Sequence, residues 1–209
     1  GSMGSIKKCR KKIGQHYQKG RMKMTTIAYK DGVMAADRSL TYKHEWCGNV
    51  QKVWKFDTGC LYGARGEGDD RALRALLSKV KTPDDLPTAI TLAEIENDVT
   101  ALFVFPHGEV WTVRSGKDSA EAMKIDGRFH AIGSGRKYAL GAMFAGADAG
   151  HAVTAAKVFD LYTDGGTDVV TLDSHTPMFP GIENYANSGK DRTNVPPSLF
   201  RDMPVQGDG

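Results

Sequence analysis

Short apolar runs separated by turn residues dominate the chain between residues 25 and 64. The runs Thr25–Tyr29 and Gly32–Asp37 flank an Asp-Gly pair, and a short Asp-Thr-Gly turn joins the runs Asn49–Phe56 and Cys60–Ala64. Asp-Gly between two strand-like runs is one of the strongest local signals for a β-hairpin. The pattern therefore predicts two pairs of antiparallel strands in this part of the chain.

Helical spacing replaces the short runs in the middle of the chain. Leucine and valine recur every three or four residues in Gly68–Val80, beside basic residues, which predicts an amphipathic surface helix. The proline-rich stretch Lys81–Pro87 is expected to break this helix, and a further short helix is expected around Ile90–Ile95.

The same two patterns return between residues 101 and 172. They predict a hairpin, a short strand, two alanine-rich helices and a final buried strand: Ala101–Phe105 with Glu109–Val113, Phe129–Ile132, Lys137–Ala147 with Gly150–Leu161, and Val169–Leu172. Strand pairs on either side of two helical blocks favour an α+β fold. The most economical arrangement is a four-layer αββα sandwich, with two stacked sheets between helix layers.

Composition changes sharply at both ends of the 209-residue chain. Residues 1–24 hold eight basic residues and no acid, while the rest of the chain holds 20 basic and 25 acidic residues. We expect residues 1–24 to be a basic leader, a propeptide or a cloning-derived extension, solvated or removable rather than an arm for nucleic acid or membrane. Residues 25–173 are expected to form one domain. Residues 174–209, rich in Pro, Gly, Asn and Asp, are expected to form an extended C-terminal tail.

Cysteine and histidine usage argues against disulfides and metal. Cys9, Cys47 and Cys60 are odd in number and form no C-x-x-C pair, and the six histidines are scattered. No apolar run approaches the ~20 residues that cross a bilayer, and no apolar signal segment stands at the N-terminus. These features predict a cytoplasmic protein without metal or cofactor.

Three residues of the sequence could form a catalytic site. Thr25 would become N-terminal after a single cleavage behind Met24, Asp37 closes the second strand-like run, and Lys52 lies in the third. A terminal threonine can use its own α-amine as the base that activates its hydroxyl, and a nearby lysine paired with an acid would assist. The alternative that remains open is a structural Asp–Lys pair beside an ordinary threonine.

Five blocks of the sequence, in order, resemble those of proteasome β-type subunits. They are Met-Thr-Thr-Ile-Ala, Asp-Gly-Val-Met-Ala-Ala-Asp-Arg, Gly-Asn-Val-Gln-Lys-Val, Ala-Ile-Gly-Ser-Gly and Asp-Leu-Tyr-Thr-Asp-Gly-Gly, between Thr25 and about Leu172. The nearest resemblance is to HslV-type peptidases and related bacterial or phage proteasome-like proteins. It implies an N-terminal nucleophile (Ntn) hydrolase with the αββα sandwich, assembled into rings around a proteolytic chamber.

The resemblance also implies roles for single residues. Thr25 would be nucleophile and base, Asp37 the orienting acid and Lys52 the activating cation. The backbone N–H of Gly63 would form the oxyanion hole. Supporting roles fall to Ser134, Asp160 and Thr163, although Gly-Ser-Gly before a helix is also an ordinary cap.

A substrate-binding set follows from the same resemblance. Thr41 would pair with an extended substrate backbone as an added strand. Leu40, Val50, Trp54 and Arg65 would line the pocket for the side chain before the cut, where Trp54 suggests apolar residues and Arg65 acidic ones.

The leading expectation is a threonine endopeptidase that cleaves polypeptides inside a homo-oligomeric ring. Whether an ATPase unfoldase docks on that ring is left open. Two alternatives stay open: a catalytically silent ring scaffold, in which the leader is never removed, and an Ntn amidase acting on a small amide. Nucleic acid and membrane are not expected partners.

Overall fold

The computed structural model describes residues 25–42, 45–66 and 69–173, without the side chains of residues 41–46. The predicted leader and C-terminal tail lie outside the described residues. The strands are β1 (Thr26–Lys30), β2 (Val33–Asp37), β3 (Ser39–Tyr42), β4 (Glu45–Asn49), β5 (Val53–Lys55), β6 (Leu61–Gly66), β7 (Val99–Val104), β8 (Val110–Gly116), β9 (Ser119–Ile125), β10 (Phe129–Gly133) and β11 (Thr167–Thr171). The helices are α1 (Arg71–Leu77), α2 (Leu86–Leu92), α3 (Arg136–Phe144) and α4 (Ala149–Phe159), with a 3-10 turn at Pro83–Asp85.

The strands form antiparallel sheets, which makes the chain α+β as the sequence predicts. One sheet has the order β10-β1-β2-β11, a second has the order β5-β6-β7-β8-β9, and β3 and β4 form a separate hairpin. The predicted turn between β1 and β2 is present, and Asp31 and Gly32 both have positive φ, at 46° and 84°. Two successive positive φ values match the twist of the flanking strands, which explains why Asp-Gly stands there.

Buried apolar side chains fall into three clusters that together hold the domain. One joins the four-stranded sheet to α3 and α4 and is built mainly from alanine. A second combines side chains of both sheets, among them Ile27 and Met34 from the first and Val53 and Leu102 from the second. The third joins the five-stranded sheet to α1 and α2 and is rich in aromatic rings. Small residues on α3 and α4 let these helices lie close to the sheet.

Several element predictions need correction. The helix expected over Gly68–Val80 is shorter, Arg71–Leu77, and it ends before the stretch Lys81–Pro87 as predicted. The helix expected around Ile90–Ile95 spans Leu86–Leu92 and begins earlier, with Pro87 in its first turn, where a missing N–H costs nothing. The run Asn49–Phe56 is divided: Asn49 ends β4, β5 begins only at Val53, and Lys52 lies in the connection just before it. The last strand, β11, was expected to be buried, but most of its residues are only half-buried.

No described helix is long and apolar enough to span a bilayer.

Candidate active site

The first hairpin brings the beginning of β1 and the end of β2 to one end of their sheet. Ile27 pairs with Ala36, so the next residues outward, Thr26 and Asp37, lie opposite each other. The backbone N–H of Thr26 donates to Asp37 Oδ1 at 2.8 Å. Asp37 is thereby fixed against the peptide that links Thr25 and Thr26.

Asp37 and Lys52 form a buried ion pair at this end. Lys52 Nζ donates to Asp37 Oδ2 at 2.8 Å, and the two side chains are 2% and 0% exposed. The backbone N–H of Ser39 donates to the same oxygen at 3.1 Å. Burial raises the pKa of the Asp37 carboxyl, and the Lys52 ammonium and the two amides oppose that rise. The pair therefore holds a cation inside the protein, and the Asp37 carboxylate connects that cation to the Thr25–Thr26 peptide.

Thr25 is fully buried, and its hydroxyl differs from the polar groups around it in having no hydrogen-bond partner among the described residues. Within the part of the chain that the structure describes, Thr25 Oγ1 makes no hydrogen bond. The Thr25 carbonyl accepts from the Ser134 N–H at 2.9 Å, which fixes the backbone. A buried hydroxyl without a partner costs free energy, and a catalytic role is one explanation for such a group.

A second network supports the same strand from the other side. Thr26 Oγ1 and Thr163 Oγ1 are 2.6 Å apart, and Thr163 Oγ1 donates to Asp160 Oδ2 at 2.5 Å. Ser134 Oγ donates to that oxygen at 2.6 Å. The predicted residues Ser134, Asp160 and Thr163 are thus brought together, and their contact with β1 runs through Thr26, a residue the sequence did not single out.

The backbone N–H of Gly63 points into the five-stranded sheet. The Ala64 N–H donates to the Lys52 carbonyl on one side of β6, so the neighbouring Gly63 N–H points to the other side, toward its partner Leu102. A Cβ on Gly63 would lie 3.0 Å from side-chain atoms of Ile27, Met34 and Val53. The geometry gives Gly63 a packing role and does not support the oxyanion role. By the same alternation, the N–H of Gly66 points to the edge where β5 has ended.

The predicted substrate-binding residues are dispersed. Leu40 and Val50 are half-buried near the end of β2, and the Thr41 side chain lies outside the described residues. Trp54 belongs to the opposite face of its sheet: it packs on the cluster under α1, and the Arg74 guanidinium lies 4.0 Å from its ring centroid. The expected aromatic wall is therefore wrong, because Val53 and not Trp54 faces the first sheet. Arg65 shares the face of Gly63 and lies at the Thr25 end.

One further residue supports the site without a signal in the sequence pattern. Lys157, on α4, donates from Nζ to the Gly165 carbonyl at 2.7 Å and to Thr167 Oγ1 at 2.6 Å. Thr167 pairs with Asp37 across β11 and β2. Burial lowers the pKa of Lys157, and the charge of Asp37 opposes that shift. Lys157 therefore holds the beginning of β11, the strand that pairs with Asp37.

A scan against protein-family models finds no family that matches this chain, and a search of curated proteins finds no matching relative. The described residues also contain no group of three or more His, Cys, Asp or Glu side chains that could hold a metal ion.

Proposed function

We propose that this protein is an Ntn hydrolase of the αββα type, with Thr25 Oγ1 as its nucleophile and peptide bonds as its substrate. The observation that carries the proposal is the buried, unpartnered Thr25 hydroxyl beside the buried Asp37–Lys52 pair. The three core clusters support the proposed layer order, because one joins helices to the first sheet, one joins the two sheets, and one joins the second sheet to helices.

The reaction begins once cleavage after Met24 exposes the α-amine of Thr25. An α-amine titrates at about pH 8, and here it accepts the proton of Oγ1 while Oγ1 bonds to the carbonyl carbon of the scissile amide. The charge of Lys52 keeps the amine neutral and stabilises the developing negative charge. The N–H of Gly66 is the candidate donor to the carbonyl oxygen.

The tetrahedral intermediate then collapses. The C–N bond breaks, the leaving nitrogen takes the proton from the α-amine, and the acyl group remains on Oγ1 as an ester. Water, deprotonated by the same amine, attacks the ester, releases the acid and restores the hydroxyl. Asp37 orients Lys52 throughout, because an unpaired buried ammonium would be costly.

The test compares protein that starts at Thr25 with the chain that keeps residues 1–24. Fluorogenic peptides report turnover, and mass spectrometry after treatment with an electrophilic peptide boronate reports whether Thr25 is modified. We expect turnover and modification only with a free Thr25 amine, loss of both in Thr25→Ala, and neither loss in Thr91→Ala, which alters an exposed threonine on α2. Equal turnover in the Thr25→Ala protein would refute the proposal. No turnover and no adduct with a free Thr25 would leave the silent scaffold as the better account.

A further inference from the structure

Three arginines converge at the end of the molecule that holds Thr25. Arg65, on β6, and Arg114, on β8, both pair with Thr100 of the intervening strand, so their side chains emerge on one face in one row. Arg136 begins α3, two residues after Ser134, whose N–H holds the Thr25 carbonyl.

This row faces the first sheet at the candidate active site. Gly63, two residues before Arg65, contacts Ile27 and Met34 of the first sheet, and side chains two apart on a strand share a face. β6 runs from Leu61, near the β7–β8 turn, toward Ala64, whose N–H is bonded to Lys52. Arg65 therefore lies at the Lys52 end of the space between the sheets.

The cluster has little compensating charge among the described residues. Arg65 makes no hydrogen bond or ion pair there, and its Nε is buried without a partner. Arg136 likewise has no carboxylate partner in the described ranges, and Arg114 has only Glu121, at 4.0 Å, with both side chains more than half exposed. Burial, followed by the charges of Arg114 and Arg136, lowers the pKa of Arg65.

The buried Nε sets Arg65 apart from Arg114 and Arg136, which are exposed. Like charges repel, and a buried N–H without an acceptor is destabilising. Repelling guanidinium groups with an open N–H are stabilised when an anion enters between them, and a planar carboxylate fits the arginine fork.

We propose that Arg65, Arg114 and Arg136 form a carboxylate-binding subsite beside Thr25 that selects polypeptide segments with an acidic side chain close to the scissile bond. Arg65 makes the central contact, because its Nε is the buried donor without a partner. Arg114 and Arg136 lie at the solvent side and add charge. The inference rests on the proposed function for its substrate, and on the cluster alone for its ligand chemistry.

The first experiment measures selectivity. Protein starting at Thr25 is incubated with paired fluorogenic peptides that differ only in Glu against Gln before the scissile bond, and kcat/KM is compared. We expect a preference for Glu of about tenfold or more, the size of one charge-assisted hydrogen bond. Arg65→Gln should abolish the preference and Arg65→Lys should retain part of it. Arg128→Gln, which removes a charge at the opposite end of the sheets, should leave it intact.

The second experiment needs no turnover. The full chain is titrated by calorimetry with N-acetylglutamate α-amide, N-acetylglutamine α-amide and N-acetylalanine at constant ionic strength. Saturable binding of the first alone, lost in Arg65→Gln and kept in Arg128→Gln, supports the subsite even if no peptide is cleaved. Equal binding of the first two compounds refutes it, and binding of N-acetylalanine alone assigns the cluster to a chain-terminal carboxylate and overturns the side-chain claim. Turnover without a preference for Glu would refute the carboxylate-binding subsite and would leave the proposed hydrolase function in place.

Discussion

The buried pair of Asp37 and Lys52 makes each of its members dependent on the other. A charge left alone in a protein interior costs several kcal/mol, whereas an exposed pair contributes little. The chain offers both cases within three residues, since Lys55 pairs with Asp173 at the surface and those side chains are 32% and 85% exposed. The two lysines therefore allow a matched comparison.

Lys52→Met is expected to lower the free energy of unfolding by about 3–5 kcal/mol, because Asp37 would remain buried without its cation. Lys55→Met should change it by less than about 1 kcal/mol. Urea unfolding measures both. The double variant Asp37→Asn, Lys52→Met should lose less than the two single changes added together. Additive losses would show that the pair is not coupled.

Gly135 lies against the two threonine hydroxyls that contact each other, those of Thr26 and Thr163. A Cβ there would lie 2.2 Å from Thr26 Oγ1 and 3.1 Å from Thr163 Oγ1, so Gly135→Ala should separate these hydroxyls and destabilise the fold by about 1–3 kcal/mol. Gly141, inside the helix that Gly135 caps, has no atom within 4 Å of such a Cβ, and Gly141→Ala should stabilise by about 0.5–1 kcal/mol through helix propensity. Thermal unfolding of both variants checks the contrast; a Gly135→Ala protein as stable as the wild type would contradict it.

At the scale of elements, the sequence predicted those with strong local signals. The first hairpin follows from its Asp-Gly turn, and α3 and α4 follow from apolar spacing. Strand β9 (Ser119–Ile125) was not predicted, because Ala, Glu and Lys are poor strand formers. Its seven residues pair with β8 in register and are mostly exposed at the edge of the sheet. The prediction that Trp54 lines the substrate pocket was wrong for a related reason. The turns that precede β5 decide which face of the sheet its side chains lie on, and the apolar periodicity of the sequence contains no information about those turns.

The loop before β11 depends on a contact that no local pattern contains. Lys157→Met would keep most of the length of the side chain and remove its bonds to Gly165 and Thr167. Because the Gly166 and Asp164 carbonyls accept from the Arg38 and Ser39 N–H groups, we expect faster amide exchange at Ser39 and at Thr167. Hydrogen exchange measures this, with Lys79→Met, an exposed change, as control. Unchanged protection would remove Lys157 from the supporting structure.

The beginning of α4 gives the fold a pH dependence. Asp148 caps this helix by accepting from the His151 N–H at 2.8 Å, and its other oxygen lies 2.8 Å from His151 Nδ1. The hydrogen bond to Asp148 raises the pKa of His151, so the stabilisation is complete below the unfolded-state pKa near 6.5 and is lost as pH rises through the higher folded-state pKa. Partial exposure of both side chains limits it to about 0.5 kcal/mol.

Wild type should accordingly exceed His151→Gln in unfolding free energy at pH 5.5 by more than at pH 8.5. Urea unfolding at the two pH values measures this difference. An advantage that grows with pH would contradict the sign. Asp148→Asn, which keeps an N-cap acceptor and removes the charge, should flatten the pH dependence without abolishing the cap.

At the scale of the whole molecule, several large apolar side chains are exposed on α3, on α4 and in the turn that follows α4. Phe144, Phe159 and Leu161 are 85%, 61% and 81% exposed, and the Tyr138 ring stacks on Phe159 with centroids 5.3 Å apart. Contiguous exposed apolar side chains are common at protein–protein contacts. A homo-oligomeric ring would cover such a surface, and the proposed peptidase would then work inside an enclosed chamber.

Replacing Phe159 and Leu161 by serine together should shift the protein toward monomer in sedimentation velocity, because the interface would lose apolar area while the core is untouched. The matched control replaces Leu92 and Met123 by serine; these are 62% and 58% exposed and lie on α2 and β9, on the other sheet. We expect the control to sediment as the wild type does, and circular dichroism to be unchanged in both. A wild type that stays monomeric at every concentration, or a control that dissociates equally, would mean that this surface serves no contact between copies, and that the chemistry at Thr25 must operate in an open site.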